Sequence, residues 1–213
     1  MKTSRDLIQQ SVKGLSPMPR VLGVSGSPRK GGNSYVILKQ ILTGAQQAGR
    51  TCDIIELKDY GFQGCIGCEQ CRKNKICTGL NDGMTLLYPS ILESRGLVLV
   101  CPTHNYNVTA WMKAFIDRMY CFYDFQNDRP RSWSSRLCGQ GRKAVIAAIC
   151  EQESKKDMGM TLDAMRLPLE ALGYEIVAEL PVLAVFDKAK VREQKVTLEK
   201  ATQLGVELAG QLA

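Results

Sequence analysis

Val21-Leu-Gly-Val-Ser25-Gly-Ser-Pro-Arg-Lys-Gly-Gly-Asn-Ser34 is the stretch on which the reading of this chain turns. Its first five residues form a short apolar run that stops at Gly-Ser-Pro, the pattern of a buried strand running into a turn. Beyond it, Val36, Leu38, Ile41, Leu42 and Ala45 recur at helical spacing, which predicts a helix over Ser34–Ala48 that stops near Gly49. The loop between therefore opens a helix, where unpaired backbone N–H groups and the helix dipole favour an anion. Hydroxyls of Ser25, Ser27 and Ser34 and the Asn33 amide suit phosphate oxygens, and Arg29 adds a planar fork. A Walker loop needs Gly-Lys-Ser/Thr, but Gly31 is followed by Gly32 and Asn33; a dinucleotide fingerprint needs Gly-x-Gly-x-x-Gly, and only Gly23, Gly26 and Gly31 are offered. A monophosphate is the better fit.

Outward from this stretch, strand and helix signals alternate. Further strands are expected over Cys52–Leu57, Gly96–Cys101, Lys143–Cys150 and Glu175–Ala184, the last interrupted by Pro181. Helices are expected over Met84–Ser94, Thr109–Tyr123, Met160–Leu172 with a kink at Pro168, and Lys188–Leu212. The stretch from Tyr123 to Lys143 reads as irregular. Apolar strands alternating with helices predict an α/β fold, a doubly wound five-stranded parallel sheet with helices on both faces. Ligands in such folds bind at the carboxyl ends of the strands, here the loops after Ser25, Leu57, Cys101 and Cys150. Residues 1–19 are expected to be an N-terminal arm, helical over Arg5–Val12, ahead of a single domain over 20–213 with a cysteine-rich loop over 60–83.

The chain has 213 residues, a formal net charge of +7 and nine cysteines. No window approaches the ~20 apolar residues of a membrane span, and the first residues carry charge without an apolar run. The expectation is a cytoplasmic protein without a membrane partner. Basic residues are scattered rather than gathered with aromatics, which argues against nucleic acid; bound anions or plain solubility account for the excess. In a reducing compartment, clustered cysteines point to metal or redox chemistry. Cys65, Cys68, Cys71 and Cys77 are clustered, whereas Cys52, Cys101, Cys121, Cys138 and Cys150 are scattered and read as small buried hydrophobes.

The segment GSPRKGGNS, residues 26–34, resembles the phosphate loop of the NADPH-dependent FMN reductases, a flavodoxin-like family with sheet order 2-1-3-4-5. The resemblance runs from about Arg20 to the end of the last helix. It implies that Ser27, Arg29, Asn33 and Ser34, with Ser25 at their base, hold an FMN phosphate. The stretch from Cys101 through Arg118 resembles the family's second flavin segment, which implies that Pro102, Thr103, His104, Asn105, Tyr106 and Asn107 border the isoalloxazine ring. There, backbone N–H and C=O groups tune the cofactor. Relatives often carry an aromatic two residues after the proline, where this chain has His104, its only histidine; proton donor and polar loop contact are both open readings. In relatives the Lys113-x-x-x-Asp117-Arg118 end of this segment packs at a dimer interface, so a homodimer or homotetramer is implied. Lys113 and Asp117 read equally well as a solvated i, i+4 pair.

Cys65-x-x-Cys68-x-x-Cys71-x5-Cys77 has the compact spacing of runs that ligate iron–sulfur cubes, with Gly64 and Gly67 to permit tight turns. Structural zinc sites more often use two separate knuckles. The motif is similar to that of the iron–sulfur flavoproteins, a branch of the same family. This implies a [4Fe-4S] cluster on these four residues beside FMN, with zinc, a redox disulfide or plain thiols as alternatives. Three functions follow. The first is an FMN-dependent oxidoreductase taking electrons from NAD(P)H or a ferredoxin-like protein to a quinone or other small-molecule acceptor. The second is a non-enzymatic iron–sulfur electron carrier, and the third a redox sensor. None requires a side-chain acid or base, because the flavin carries the chemistry.

Overall fold

The computed structural model describes residues 20–212; the arm over 1–19 and its helix over Arg5–Val12 lie outside them. In chain order the elements are β1 (Arg20–Ser25), α1 (Asn33–Gln47), β2 (Cys52–Glu56), α2 (Gln70–Asn74), α3 (Tyr88–Glu93), β3 (Ser94–Pro102), α4 (Ala110–Arg118), β4 (Tyr123–Phe125), β5 (Trp133–Ser135), β6 (Lys143–Ile149), α5 (Thr161–Leu172), β7 (Glu175–Val182) and α6 (Lys195–Gly210). The main sheet is parallel throughout, in the order β2-β1-β3-β6-β7. With the hairpin β4–β5 set aside, this is the expected flavodoxin-like order 2-1-3-4-5.

Alternation along the central strands explains why they read as unbroken apolar runs. Leu22 and Val24, Leu97 and Leu99, and Ala144, Ile146 and Ala148 face one core with Ile91, Phe115, Met165 and Leu169 from α3, α4 and α5. Their neighbours Val21, Val98, Val100, Val145 and Ala147 face the other core, with Ile37, Ile41, Leu204 and Leu208 from α1 and α6. Because helices cover both faces, every side chain on these strands has an apolar layer to meet. On the second face α1 and α6 touch backbone to backbone. A Cβ at Gly44 would overlap the Thr202 carbonyl, and one at Gly205 the Ile41 carbonyl.

Several expected elements have different bounds. The helix expected over Met84–Ser94 is a 3-10 turn (Gly83–Leu86) followed by α3, whose first turn contains Pro89, a position where the missing N–H is tolerated. The helix expected over Thr109–Tyr123 ends as α4 at Arg118 and continues as a 3-10 turn over Met119–Phe122; Thr109 caps it, its Oγ1 accepting from the Met112 N–H at 3.2 Å. The last helix starts at Lys195 rather than Lys188, after a 3-10 turn over Lys190–Glu193. Pro181 falls within β7, an edge strand, where a sheet tolerates proline. The stretch read as irregular contains the antiparallel hairpin β4–β5, with Tyr123, Asp124 and Phe125 opposite Ser135, Ser134 and Trp133. Among the scattered cysteines, Cys101, Cys121 and Cys150 are buried as expected. Cys52 is half-buried, and Cys138 is exposed because it lies in the turn between β5 and β6.

Candidate functional site

The chain leaves β1 for β2 on one side and returns to β3 on the other, so the loops after β1 and β3 diverge at a topological switch point. An open cleft of about 150 Å³ lies there, lined by Ser27, Pro28, Arg29, Asn33, Ser34, Pro102, Thr103, His104, Ile149, Glu151, Val185 and Phe186. Two regions expected from sequence thus meet in one depression.

The loop after β1 is built by its own small side chains. Ser25, fully buried, accepts from the Ser27 N–H at 3.4 Å, and Ser27 Oγ accepts from the Arg29 N–H at 3.2 Å. These bonds wind the chain toward the N-terminus of α1, where Gly32 makes no side-chain cap and no acidic residue occupies the first turn. The first N–H groups of a helix have no intrahelical partners, so this end presents donors and a positive dipole to the cleft. Ser25 itself stands behind the wall as a support.

Asn33 and Arg29 do something the sequence did not indicate. The Asn33 amide donates to the Asp187 carbonyl at 2.9 Å, and its Oδ1 accepts from the Val191 N–H at 3.1 Å. Its side chain therefore braces the loop after β7 while lining the cleft. Arg29 donates through one terminal nitrogen to the Phe186 carbonyl at 2.9 Å, which leaves the rest of its fork for an anion.

On the β3 side, Thr103 donates its N–H to the Ile149 carbonyl at 2.8 Å, and His104 and Asn107 exchange backbone hydrogen bonds of 2.8 and 3.1 Å. Asn105 and Tyr106 between them have φ of 48° and 63°, as in a type I′ turn. This turn carries Asn105, Tyr106 and Asn107 past the cleft wall, whereas Pro102, Thr103 and His104 line it. The two loops are tied together where Thr109 Oγ1 donates to the Gly26 carbonyl at 2.7 Å.

A second cavity, of about 260 Å³, is lined by Cys65, Cys68, Cys71 and Cys77 with Ile66, Gly67, Glu69, Gly79, Leu80, Arg118 and Tyr120. Cys71 rides on α2, which is bounded by Glu69 and Lys75 in left-handed conformations. Burial raises the Cys71 thiol pKa, and the neighbouring sulfurs of Cys77, Cys65 and Cys68 add to the rise. Gly79 backs directly onto Cys68, and a methyl there would overlap the sulfur. Among the described residues no three His, Cys, Asp or Glu side chains close on a single-ion site; the thiols stand around a volume. The missed hairpin supports this cavity, since Lys75 pairs with Asp124 and Arg136 donates to the Lys75 carbonyl at 2.6 Å.

The sequence model of the NADPH-dependent FMN reductase family matches residues 19–151, from β1 through the end of β6. The chain belongs to the NADPH-dependent FMN reductase family. Curated relatives include an iron–sulfur flavoprotein of Archaeoglobus fulgidus, 34% identical over 100 residues (47% of this chain, 45% of that protein). Another, from Methanocaldococcus jannaschii, is 31% identical over 99 residues (46% of this chain, 51% of that protein). The chain thus spans about half the length of the curated relatives it matches. Among solved structures, an NAD(P)H:quinone oxidoreductase from Methanothermobacter marburgensis superposes with a TM-score of 0.66 at 18% identity, covering 89% of this chain and 98% of that one. An FMN-dependent NADH-azoreductase of Bacillus anthracis, in complex with FMN, gives 0.65 at 16%, covering 90% and 100%. These structural likenesses establish a shared fold.

Within this FMN reductase fold, Glu151 belongs to the loop expected to matter after Cys150, whereas Ile149, Val185 and Phe186 are wall residues the sequence pattern did not indicate. Val182 pairs with Ile149 at the end of the sheet, so the loop after β7 reaches the same edge as the loop after β6. The strand order could have pointed to it. Arg118, which the family resemblance assigns to an interface, is instead buried against Asp82, while Lys113 and Asp117 form an exposed pair at 2.5 Å.

Proposed function

We propose that the protein is an FMN-dependent oxidoreductase that carries electrons from NAD(P)H or a ferredoxin-like donor to a quinone or another small acceptor, with a [4Fe-4S] cluster on Cys65, Cys68, Cys71 and Cys77. The observation that carries this reading is the cleft at the β1/β3 switch point, where an uncapped helix N-terminus and Arg29 face Pro102, Thr103 and His104. Donors at one end suit a phosphate, whose charge is about −1.5 to −2 near neutral pH, and a peptide edge at the other suits a flat heterocycle. Bound there, a flavin supplies two-electron acceptance coupled to one-electron release.

The chain's own residues bind and orient. The α1 N–H groups, Ser27, Ser34 and the Arg29 fork hold the phosphate end; Pro102 and Thr103, fixed by the bond to Ile149, set the ring edge. Buried Val185 and the ring of Phe186, which lies under Arg29, complete the cleft wall. For the cluster, four thiols around one cavity are the donor set such a cube needs, and the relatives named iron–sulfur flavoproteins support the same reading.

That cavity also favours a second reading, a non-enzymatic electron carrier. Stopped-flow reduction of anaerobically purified protein separates them. Flavin bleaching by NADPH or NADH within the dead time to seconds is expected of the enzyme; a slow response to both with a fast one to reduced ferredoxin would favour the carrier. Failure to reconstitute FMN at all would remove both. Iron and acid-labile sulfide analysis decides the cluster, and zinc or no metal in anaerobic preparations would remove it.

A further inference from the structure

Arg118 closes α4 and lines the cysteine cavity, yet only 2% of it is exposed. Its two terminal nitrogens donate to the Asp82 carboxylate at 2.7 and 3.0 Å, and one also donates to the Gln63 carbonyl at 3.0 Å. Asp82 in turn accepts from the Gln63 N–H at 3.2 Å and the Met84 N–H at 3.1 Å. The loop that carries the four cysteines is thus clamped at both its ends, at Gln63 and at Asp82, by one guanidinium. Asp82 is not part of the cavity wall, so the positive end of the pair borders the thiols. Among the described residues, Arg118 Nε is buried and has no hydrogen-bond partner.

A buried ion pair is weak evidence for stability, because apolar replacements of similar volume are often as good. Nor does stability account for an unpartnered buried nitrogen, which ordinarily calls for an explanation of its own. What the pair does bring to the cavity is charge, since Arg118 lines it and Asp82 does not. We propose that Arg118 is a positioning residue for the group held by Cys65, Cys68, Cys71 and Cys77: it fixes the loop ends and, as a permanent cation at the wall, raises that group's reduction potential. The inference rests on the cluster reading given above. The step concerned is a one-electron reduction in which one electron enters from an external donor, no proton moves and the net charge falls by one. A fixed positive charge in a low-dielectric wall stabilises the more negative state, and net charge and hydrogen bonding to sulfur are among the factors that set cluster potentials.

The test is a mediated dithionite titration of anaerobically purified holoprotein, followed by electron paramagnetic resonance, with iron and sulfide measured on the same samples. Arg118→Gln is expected to lower the midpoint and Asp82→Asn, which leaves the guanidinium uncompensated, to raise it. Each should change the reduced-to-oxidised ratio at fixed potential at least about tenfold, which is 59 mV for a one-electron couple. Arg118→Lys keeps the charge and should stay within that tenfold while losing thermal stability. A purely structural pair would move both midpoints the same way or neither. Should Arg118→Gln not retain iron, the raised midpoint expected of Asp82→Asn beside the near-wild-type midpoint of Arg118→Lys still decides: equal midpoints in these two and the wild type overturn the proposal. Wild-type protein without iron and sulfide overturns the cluster reading along with it; iron-replete variants with unmoved midpoints overturn this inference alone.

Discussion

Arg29 lies over the ring of Phe186, its guanidinium carbon 4.5 Å from the ring centroid, while its terminal nitrogen bonds to the same residue's carbonyl. The stacking fixes a flexible side chain before any ligand arrives, and preorganisation of this kind lowers the ordering cost of binding. An exposed cation–π contact is worth about 0.5–1 kcal/mol, so Phe186→Ala should weaken FMN binding about two- to fivefold in a fluorescence titration. Arg29→Ala, which removes a charged hydrogen-bond donor worth about 1.5–3 kcal/mol, should weaken it about ten- to a hundredfold. Equal dissociation constants for Phe186→Ala and wild type would mean that the contact does not prepare the site.

His104 presents its backbone, not its ring, to the pairing with Asn107. A working general acid contributes about 10²–10⁴-fold. His104→Gln keeps a polar side chain at the cleft, and kcat is expected to fall by less than about fivefold with an unchanged pH profile. A loss of a hundredfold, with one limb of the profile gone, would make the imidazole the proton source.

Much of this architecture was legible because the central strands are apolar on both faces, as a helix-covered parallel sheet demands. Val21–Ser25 and Lys143–Ile149 carry that pattern without interruption, and the loop at Ser25 followed directly. What was not legible depends on contacts between distant segments. Asn33 reads as a phosphate ligand in sequence; that it also braces the loop after β7 appears only from its bonds to Asp187 and Val191, more than 150 positions away. The β4–β5 hairpin has strands of three residues each, too short for any periodicity to register. Arg118 belongs to a surface motif by resemblance; its burial appears only when Asp82 is placed beside it.

Burial pushes the Cys52 thiol up to about 11, with Asp53 adding to the rise, and the Cys101 and Cys121 thiols up to about 12. For Cys101 the hydrogen bonds from Thr109 oppose the rise, and for Cys121 the sulfur of Cys71 adds to it. An acid whose folded pKa is raised favours folding below its unfolded value, and the native state binds more protons than the unfolded one between the two. Stability should therefore be level up to about pH 9 and decline as the pH rises from there toward 12. Thermal melts across that range, repeated with Cys101→Ala and Cys121→Ala, should show the decline flattened in the variants. An unaltered alkaline limb would assign it to other groups. With maleimide at neutral pH the exposed Cys138 should label whether or not metal is bound, and Cys101, Cys121 and Cys150 in neither state. Cys65 and Cys68 should label only after chelation; their rapid labelling in iron-replete protein would contradict the ligand role proposed for them.

Gly79 offers the most local test of the cysteine cavity. A methyl at this position would overlap the Cys68 sulfur, while Gly79 lies outside the apolar cores and outside the cleft at the β1/β3 switch point. Gly79→Ala should therefore displace one thiol and leave the rest of the fold in place. Forcing an extra carbon into an occupied space costs about 1–3 kcal/mol, and half-exposed loop residues can absorb part of that by moving. The expected outcome is a large drop in iron retained per chain after anaerobic desalting, with FMN content and melting temperature of the apoprotein close to wild type. Gly64→Ala, where a Cβ meets nothing within 4 Å, serves as the matched control and should retain iron. If Gly79→Ala held iron as well as Gly64→Ala, Cys68 would not need its present position, and the ligand set would have to be drawn without it.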